Sequence, residues 1–287
     1  FKFNIFLMPL SESLRVSSIF GQELIMGGYA TKLLPLALIC LYSFIPNKAS
    51  RNLLIFFLIA ITLILVLLSG ERSALFLFIL SIIIYFVYIN KLISNIILVM
   101  ILFIGLLVSF FSTTVYERMF VRTFDQIFND SKVYIFSIHH QAHYETASKM
   151  FIDKPVFGVG PKQFRKICDN EKYKTILYSN NDAHSGCQTH PHNMYLQLLS
   201  ETGTIGFIYL FSFFVYLSFK TFNALIKSVF MNEKPYNISL ILSFIAVIIN
   251  IFPFIPSGNF FGSSFNFMFY LCIGFLIGEL GKIKYEK

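Results

Sequence analysis

Long, nearly uncharged apolar stretches recur along this chain, and they leave it few ways to fold. Residues 24–45, 52–69, 73–89, 92–111, 194–219, 237–256 and 265–280 each approach the roughly 20 apolar residues that cross a hydrocarbon core. Backbone N–H and C=O groups in lipid must be bonded within their own segment, so each stretch is expected to be a helix. Of the 287 residues 56% are hydrophobic and only 13% charged, a balance that a soluble domain could not hide from water. The expected fold is therefore an all-α membrane protein, a polytopic helical bundle of about seven spans. Residues 1–287 read as a single integral membrane domain, with one large, partly helical loop over 112–191 inserted between the fourth and fifth spans. Phe1 stands within an apolar run and no signal peptide is recognisable, so an N-terminally truncated piece of a longer chain is expected.

The net charge of +8 could suggest nucleic acid, but its distribution points to membrane orientation instead. Lys48, Arg51, Lys91, Lys220, Lys227, Lys234, Lys282, Lys284 and Lys287 fall on one side of the predicted bundle; Arg15 and Arg72 fall on the other. The cation-rich side is expected to be cytoplasmic, which puts the C-terminus inside and the long loop outside. On the outside oxidation is permitted, and Cys168 and Cys187 both lie in the loop. A disulfide between them would contribute on the order of 3 kcal/mol; two free thiols or metal ligands are the alternatives.

Within the loop, residues 131–151 read as a helix capped by Ser131 or Asp130 and stopped at Asp153-Lys154-Pro155, with His139, His143 and Ala147 on one face. Gly158-Val159-Gly160-Pro161 demands a tight turn, and 162–188 reads as a polar, mobile cover. Next comes Cys187 to Gly206, which opens the fifth span. Pro191 suits a first helical turn capped by Thr189 or His190, placing His192 and Asn193 among N–H groups that favour an anion. Asn193, Gln197 and Glu201 then follow at four-residue spacing as a polar stripe on an apolar helix.

Three kinds of residue carry candidate chemistry. An imidazole such as His192 can take a hydroxyl proton near neutral pH; otherwise it simply bonds at a helix start. Arg72, at the end of a span, can bind phosphate through its planar fork or anchor the span to lipid headgroups. Lys32 lies inside an apolar stretch, where a charge is costly and points to function, unless it snorkels. Cys187, His190 and His192, with Cys168 or His184, do not match the usual zinc spacings, so no metal is expected.

The order of these parts resembles the O-antigen ligase and O-antigen polymerase superfamily. The resemblance rests on Pro155-Val156-Phe157-Gly158-Val159-Gly160-Pro161 with Phe164, on His192-Asn193 followed by Gly203-Thr204-Ile205-Gly206, and on Gly70-Glu71-Arg72-Ser73. Arg15 to Gly21 is a weaker element of it, and His139, His140 and His143 stand where relatives place an arginine. The resemblance implies a multi-pass protein of the bacterial inner membrane with its long loop in the periplasm. It implies an inverting, metal-independent glycosyltransferase without a cofactor, moving a glycan from undecaprenyl diphosphate to a sugar hydroxyl of lipid A-core. A polysaccharide polymerase or a protein O-oligosaccharyltransferase of the same superfamily is the alternative, and an anion or lipid-phosphate transporter the remote one. The roles that follow are His192 as catalytic base, and Arg72, Lys32, His143 and Arg15 as ligands of the donor diphosphate. Asn193, Gln197 and Glu201 support them, and a Cys168–Cys187 bridge tethers the loop.

Overall fold

A computed structural model of the chain describes residues 18–20, 24–88, 103, 105, 107, 112–121, 123, 124, 136–179, 182–230 and 238–285. The described residues are mostly helical, with one short strand pair. Its principal elements are α1 (Met26–Phe44), α2 (Lys48–Ser69), α3 (Arg72–Tyr88), α4 (Ile138–Asp153), α5 (Phe164–Ile167), β1 (Ile176–Ser179), β2 (Asp182–Ser185), α6 (Met194–Phe230), α7 (Ile238–Ile251) and α8 (Ser263–Tyr285). Four described helices are long and apolar enough to cross a membrane: Met26–Phe44, Lys48–Ser69, Met194–Ile226 and Phe265–Lys282. Arg72–Phe86 and Ile238–Ile251 are shorter apolar helices. This is an all-α membrane protein. The span expected over 92–111 lies largely outside the described residues.

Two compact units can be separated. One comprises Phe1–Phe124, Leu225–Ile249 and Cys272–Lys287; the other comprises Asp125–Ala224 and Asn250–Leu271.

In the first unit α1, α2 and α3 pack in sequence. Asn47 caps α2 by accepting from the Ser50 N–H at 3.1 Å, and Gly70, left-handed at φ 64°, ends it. Thr31 donates to the Ala74 carbonyl at 3.3 Å and the Tyr42 and Tyr85 hydroxyls meet at 2.9 Å, so α1 is tied to α3 at two levels.

The second unit holds the insert. Helix α4 starts later than the sequence suggests, at Ser137 rather than at Ser131 or Asp130. The Ser137 side chain accepts from the His140 N–H, while residues 130–135 lie outside the described set. Its buried face, with Ala147 and Met150, meets Phe164, Cys168 and Tyr173 in a small core. The stretch expected to be a polar loop contains α5 and an antiparallel hairpin, β1 pairing with β2 in the register Ile176 to Ser185. Cys168 and Cys187 form a disulfide, with their Cα atoms 4.9 Å apart.

Helix α6 is bent. At Gly203 (φ 65°, ψ −169°) the helical backbone is interrupted, and the segment from Pro155 to Gly160 docks into the break. The Val159 and Gly160 N–H groups donate to the Ser200 and Glu201 carbonyls, both at 2.9 Å. In return Thr204 N–H donates to the Pro155 carbonyl at 2.8 Å and Ile205 N–H to that of Val156 at 3.3 Å. Backbone groups that a kink would leave unpaired are thus satisfied by the turn. The approach leaves no space for side chains: a Cβ on Gly158 would lie 2.4 Å from the Glu201 carbonyl carbon, and one on Gly203 2.3 Å from the Val156 oxygen.

Candidate functional site: a cluster of six histidines

All six histidines of the chain converge in the second unit. Helix α4 supplies His139, His140 and His143; β2 supplies His184; the segment before α6 supplies His190 and His192. Ring centroids are 4.7 Å apart for His139 and His143, 5.8 Å for His139 and His184, 5.7 Å for His140 and His192, 5.3 Å for His143 and His192, and 4.1 Å for His190 and His192.

Hydrogen bonds fix how some of these rings can act. His143 is fully buried and its Nδ1 bonds the Gly186 carbonyl at 3.1 Å. A carbonyl only accepts, so Nδ1 carries the proton and Nε2 presents a lone pair. That Nε2 is buried and has no hydrogen-bond partner among the described residues. Gly186 reaches α4 because it lacks a side chain; a Cβ there would sit 2.1 Å from Thr146 Oγ1. His190 is spent on structure: Nε2 donates to the Ser257 carbonyl at 3.2 Å and Nδ1 accepts from Thr189 Oγ1 at 2.9 Å. His192 is held by its backbone, whose carbonyl accepts from Ser257 N–H at 2.8 Å. Its φ of 55° is left-handed, a conformation rare outside glycine and one that concentrates at functional positions. No ring nitrogen of His192 is hydrogen-bonded among the described residues.

The electrostatics follow from burial and from the crowding of like groups. Burial lowers the His192 pKa to about 3, and the nearby His190, His140, His143 and His139 add to the effect. Burial likewise lowers His139, seconded by His184, and lowers His143 and His190 against the opposing pull of their carbonyl partners. These four imidazoles are neutral at neutral pH. Tyr144 borders them, its hydroxyl raised to about 12 by burial.

Asn193, Gln197 and Glu201 are all buried, the last two 1% exposed, so the stripe faces protein and not lipid. Asn193 is the true cap of α6. Its Oδ1 accepts from Tyr195 N–H at 3.0 Å and Leu196 N–H at 3.1 Å, while Nδ2 donates to the Pro253 carbonyl at 2.9 Å. Pro191 precedes the helix instead of opening it, and of the N–H donors expected to be free there Asn193 already occupies those of Tyr195 and Leu196. Gln197 Nε2 reaches Glu201 Oε2 at 3.2 Å and Asn259 Oδ1 at 2.8 Å, while its Oε1 accepts from Phe260 N–H at 2.8 Å. Glu201 also accepts from the N–H groups of Lys162 at 3.0 Å and Phe164 at 2.8 Å. The stripe therefore ties α6 to the 158–164 turn on one side and to 252–260 on the other.

Helix α7 ends at Ile251, short of the expected 256, because the following residues are used here. The carbonyls of Ile251, Pro253 and Ser257 accept from Tyr195, Asn193 and His190. Ser257 and Asn259 were not legible as site residues, since nothing in their spacing links them to a stretch some 60 residues earlier.

The remaining candidates belong to the first unit. Arg72 is half-buried and its Nη1 donates to Thr123 Oγ1 at 3.2 Å. The adjacent Glu71 accepts from the N–H groups of Gly27 at 2.7 Å and Gly28 at 3.1 Å, placing a carboxylate at the start of α1. Lys32 follows one turn later on that helix. Arg15 lies outside the described residues. Among the described residues no group of three His, Cys, Asp or Glu side chains is placed to hold a metal ion.

The model of one protein family, described as O-antigen ligase, matches residues 54–211, just over half of the chain. No curated protein matches the chain with significance.

Proposed function

We propose that this chain, which belongs to the O-antigen ligase family, transfers a glycan from undecaprenyl diphosphate to a sugar hydroxyl at the outer face of the bacterial inner membrane. The observation that carries the reading is His192, a neutral imidazole with uncommitted ring nitrogens, fixed by its backbone beside the start of a spanning helix.

In the reaction the acceptor oxygen attacks the anomeric carbon and the bond from that carbon to the diphosphate oxygen breaks. His192 takes the hydroxyl proton as the O–H bond breaks, and the diphosphate leaves as an anion. A single displacement of this kind inverts the anomeric centre. The leaving group is stable without a proton, so fixed positive groups suffice to hold it. Arg72, Lys32, His143 and Arg15 each keep the diphosphate role that the family resemblance gives them. The cation count of the short connections supports an exterior insert, as does a disulfide within it. Lipid A-core is the acceptor favoured here.

His192→Ala is expected to lower transfer from a synthetic polyprenyl-diphosphate glycan by about 10²–10⁴-fold, with membrane insertion unchanged. Retained activity in that variant removes the assignment. Deleting the gene in a smooth strain identifies the acceptor: unligated long chains on the carrier mean a ligase, and single-repeat caps on the lipid mean a polymerase.

A further inference from the structure

Helix α6 changes its surroundings at the Gly203 bend. From Met194 to Gly203 no residue is exposed. Immediately after the bend Ile205, Ile208, Tyr209, Tyr216, Phe219 and Phe222 are each more than half exposed, as lipid-facing side chains of a spanning helix are. At 1.5 Å per residue, Ile205 to Phe222 covers about 26 Å, close to the thickness of a hydrocarbon core. The hydrocarbon boundary on this helix therefore falls near Ile205.

The turn that begins at Pro155 is docked at that level. The Val156 carbonyl accepts from Ile205 N–H at 3.3 Å, and the Pro155 carbonyl accepts from both the N–H and the hydroxyl of Thr204 at 2.8 Å. These bonds fix the height of the turn on α6, yet its apolar side chains are left outside the fold. Val156 is 50% exposed and Phe157 75%, with Ile152 on the last turn of α4 at 76%. Apolar side chains grouped in this way are unfavourable in water and mark a surface that something apolar covers. Continuity with the lipid-facing side of α6 identifies the cover as lipid.

Charge is layered to match. Glu201 accepts from the N–H groups of Lys162 and Phe164, so the chain after the turn runs beside a residue four positions before Ile205. Four residues of helix rise about 6 Å, the depth of a headgroup layer. Lys162, Arg165 and Lys166 stand there, all exposed, and exposed Lys154 directly precedes the turn. The one carboxylate in the sequence 152–166 is Asp153, already bonded to Lys172 and Tyr173. An apolar tip rimmed by cations suits a membrane surface, with the aromatic ring at the acyl boundary and the ammonium groups among phosphates.

We infer that residues 152–166 form an interfacial anchor: Val156 and Phe157 enter the acyl boundary of the leaflet that α6 enters at Ile205, and Lys154, Lys162, Arg165 and Lys166 bind anionic phospholipid headgroups. The ligand is the lipid of the bilayer itself, and its binding requires no glycan donor. Because the turn is also bonded to the Ser200 and Glu201 carbonyls, the anchor sets how far from the hydrocarbon the covered part of α6 and the neighbouring His192 stand.

The chain contains no tryptophan, so Phe157→Trp places a single fluorophore at the tip. In phosphatidylcholine nanodiscs the full chain carrying it is expected to be quenched by lipids brominated high on the acyl chain and little by aqueous acrylamide. Tyr178→Trp, on the hairpin where the side chain is 72% exposed, is expected to show the reverse. Brominated phosphatidylglycerol, as a minor lipid, is expected to quench Phe157→Trp more than the same fraction of brominated phosphatidylcholine. Adding Lys154→Gln, Lys162→Gln and Lys166→Gln is expected to lower that preference by up to about fivefold per lysine, and high salt to lower it too. Acrylamide quenching of Phe157→Trp without bromolipid quenching overturns the anchor. Equal bromolipid quenching of Phe157→Trp and Tyr178→Trp also overturns it, since the insert as a whole then lies on the bilayer. Shielding from both quenchers overturns it in favour of a protein cover, a second copy of the chain included. Equal quenching by the two brominated lipids overturns the headgroup assignment. Val156→Trp gives the same reading if Phe157→Trp does not fold.

Discussion

Asn193 meets two demands that one amide satisfies in a single orientation: Oδ1 caps α6 through Tyr195 and Leu196, and Nδ2 holds the Pro253 carbonyl. The two functions can be separated by substitution. Serine keeps a cap and loses the bond to Pro253, while alanine loses both. Asn193→Ala is expected to cost about 1–2 kcal/mol, with Asn193→Ser in between, read as thermal unfolding in nanodiscs. Equal stability for all three would mean that the cap is not what positions His192. The chemistry of this residue was legible in the sequence as His-Asn beside a spanning helix, but its geometry was not. Thr189, His190 and Asn193 are all competent caps, and only the left-handed turn at His192 decides among them.

At the level of elements, Gly203 and the Gly158-Val159-Gly160 turn are one device. Their motifs lie more than 40 residues apart, yet Gly158 and Gly203 are each required because the other segment's backbone occupies the space of the Cβ. Gly203→Ala meets a left-handed φ and a 2.3 Å contact together. It is expected to destabilise the docked turn by about 1–3 kcal/mol. Limited proteolysis should then cut within 154–162, where wild type resists, and transfer should fall with it. Resistance equal to wild type would show that the bend in α6 does not depend on this contact. Both glycine motifs were visible in the sequence, but not their pairing. The hairpin Ile176–Ser185 was missed because a short strand pair among Lys, Asn and Tyr has no alternation strong enough to separate it from loop.

For the molecule as a whole, lipid solvation made the helices legible, since it imposes one structure on any long apolar run. The polar insert has no such rule, and its six histidines come together only through a bridge, a hairpin and a bent helix. That assembly makes the insert's stability depend on pH, and the sign can be derived. His139, His143, His190 and His192 have folded pKa values below their unfolded value near 6.5, that of His192 being about 3. Above about pH 6.5 both states are neutral and stability is at its full value. As pH falls below that, the unfolded insert binds protons that the folded one refuses, so stability drops by up to about 1.4 kcal/mol per pH unit for each of His143, His190 and His192, and by less for the exposed, solvent-screened His139. The loss continues until each folded pKa is passed, for His192 near pH 3. The salt-linked Asp153, lowered by its bonds to Lys172 and Tyr173, acts in the same direction but only below the unfolded carboxylate range, about pH 4. Hydrogen exchange of residues 138–153 is therefore expected to accelerate between about pH 6.5 and 5, before any carboxylate titrates. His143→Asn should flatten that dependence. Exchange that stays constant down to about pH 5 would mean that these rings are already charged in the folded protein, contrary to the burial that surrounds them.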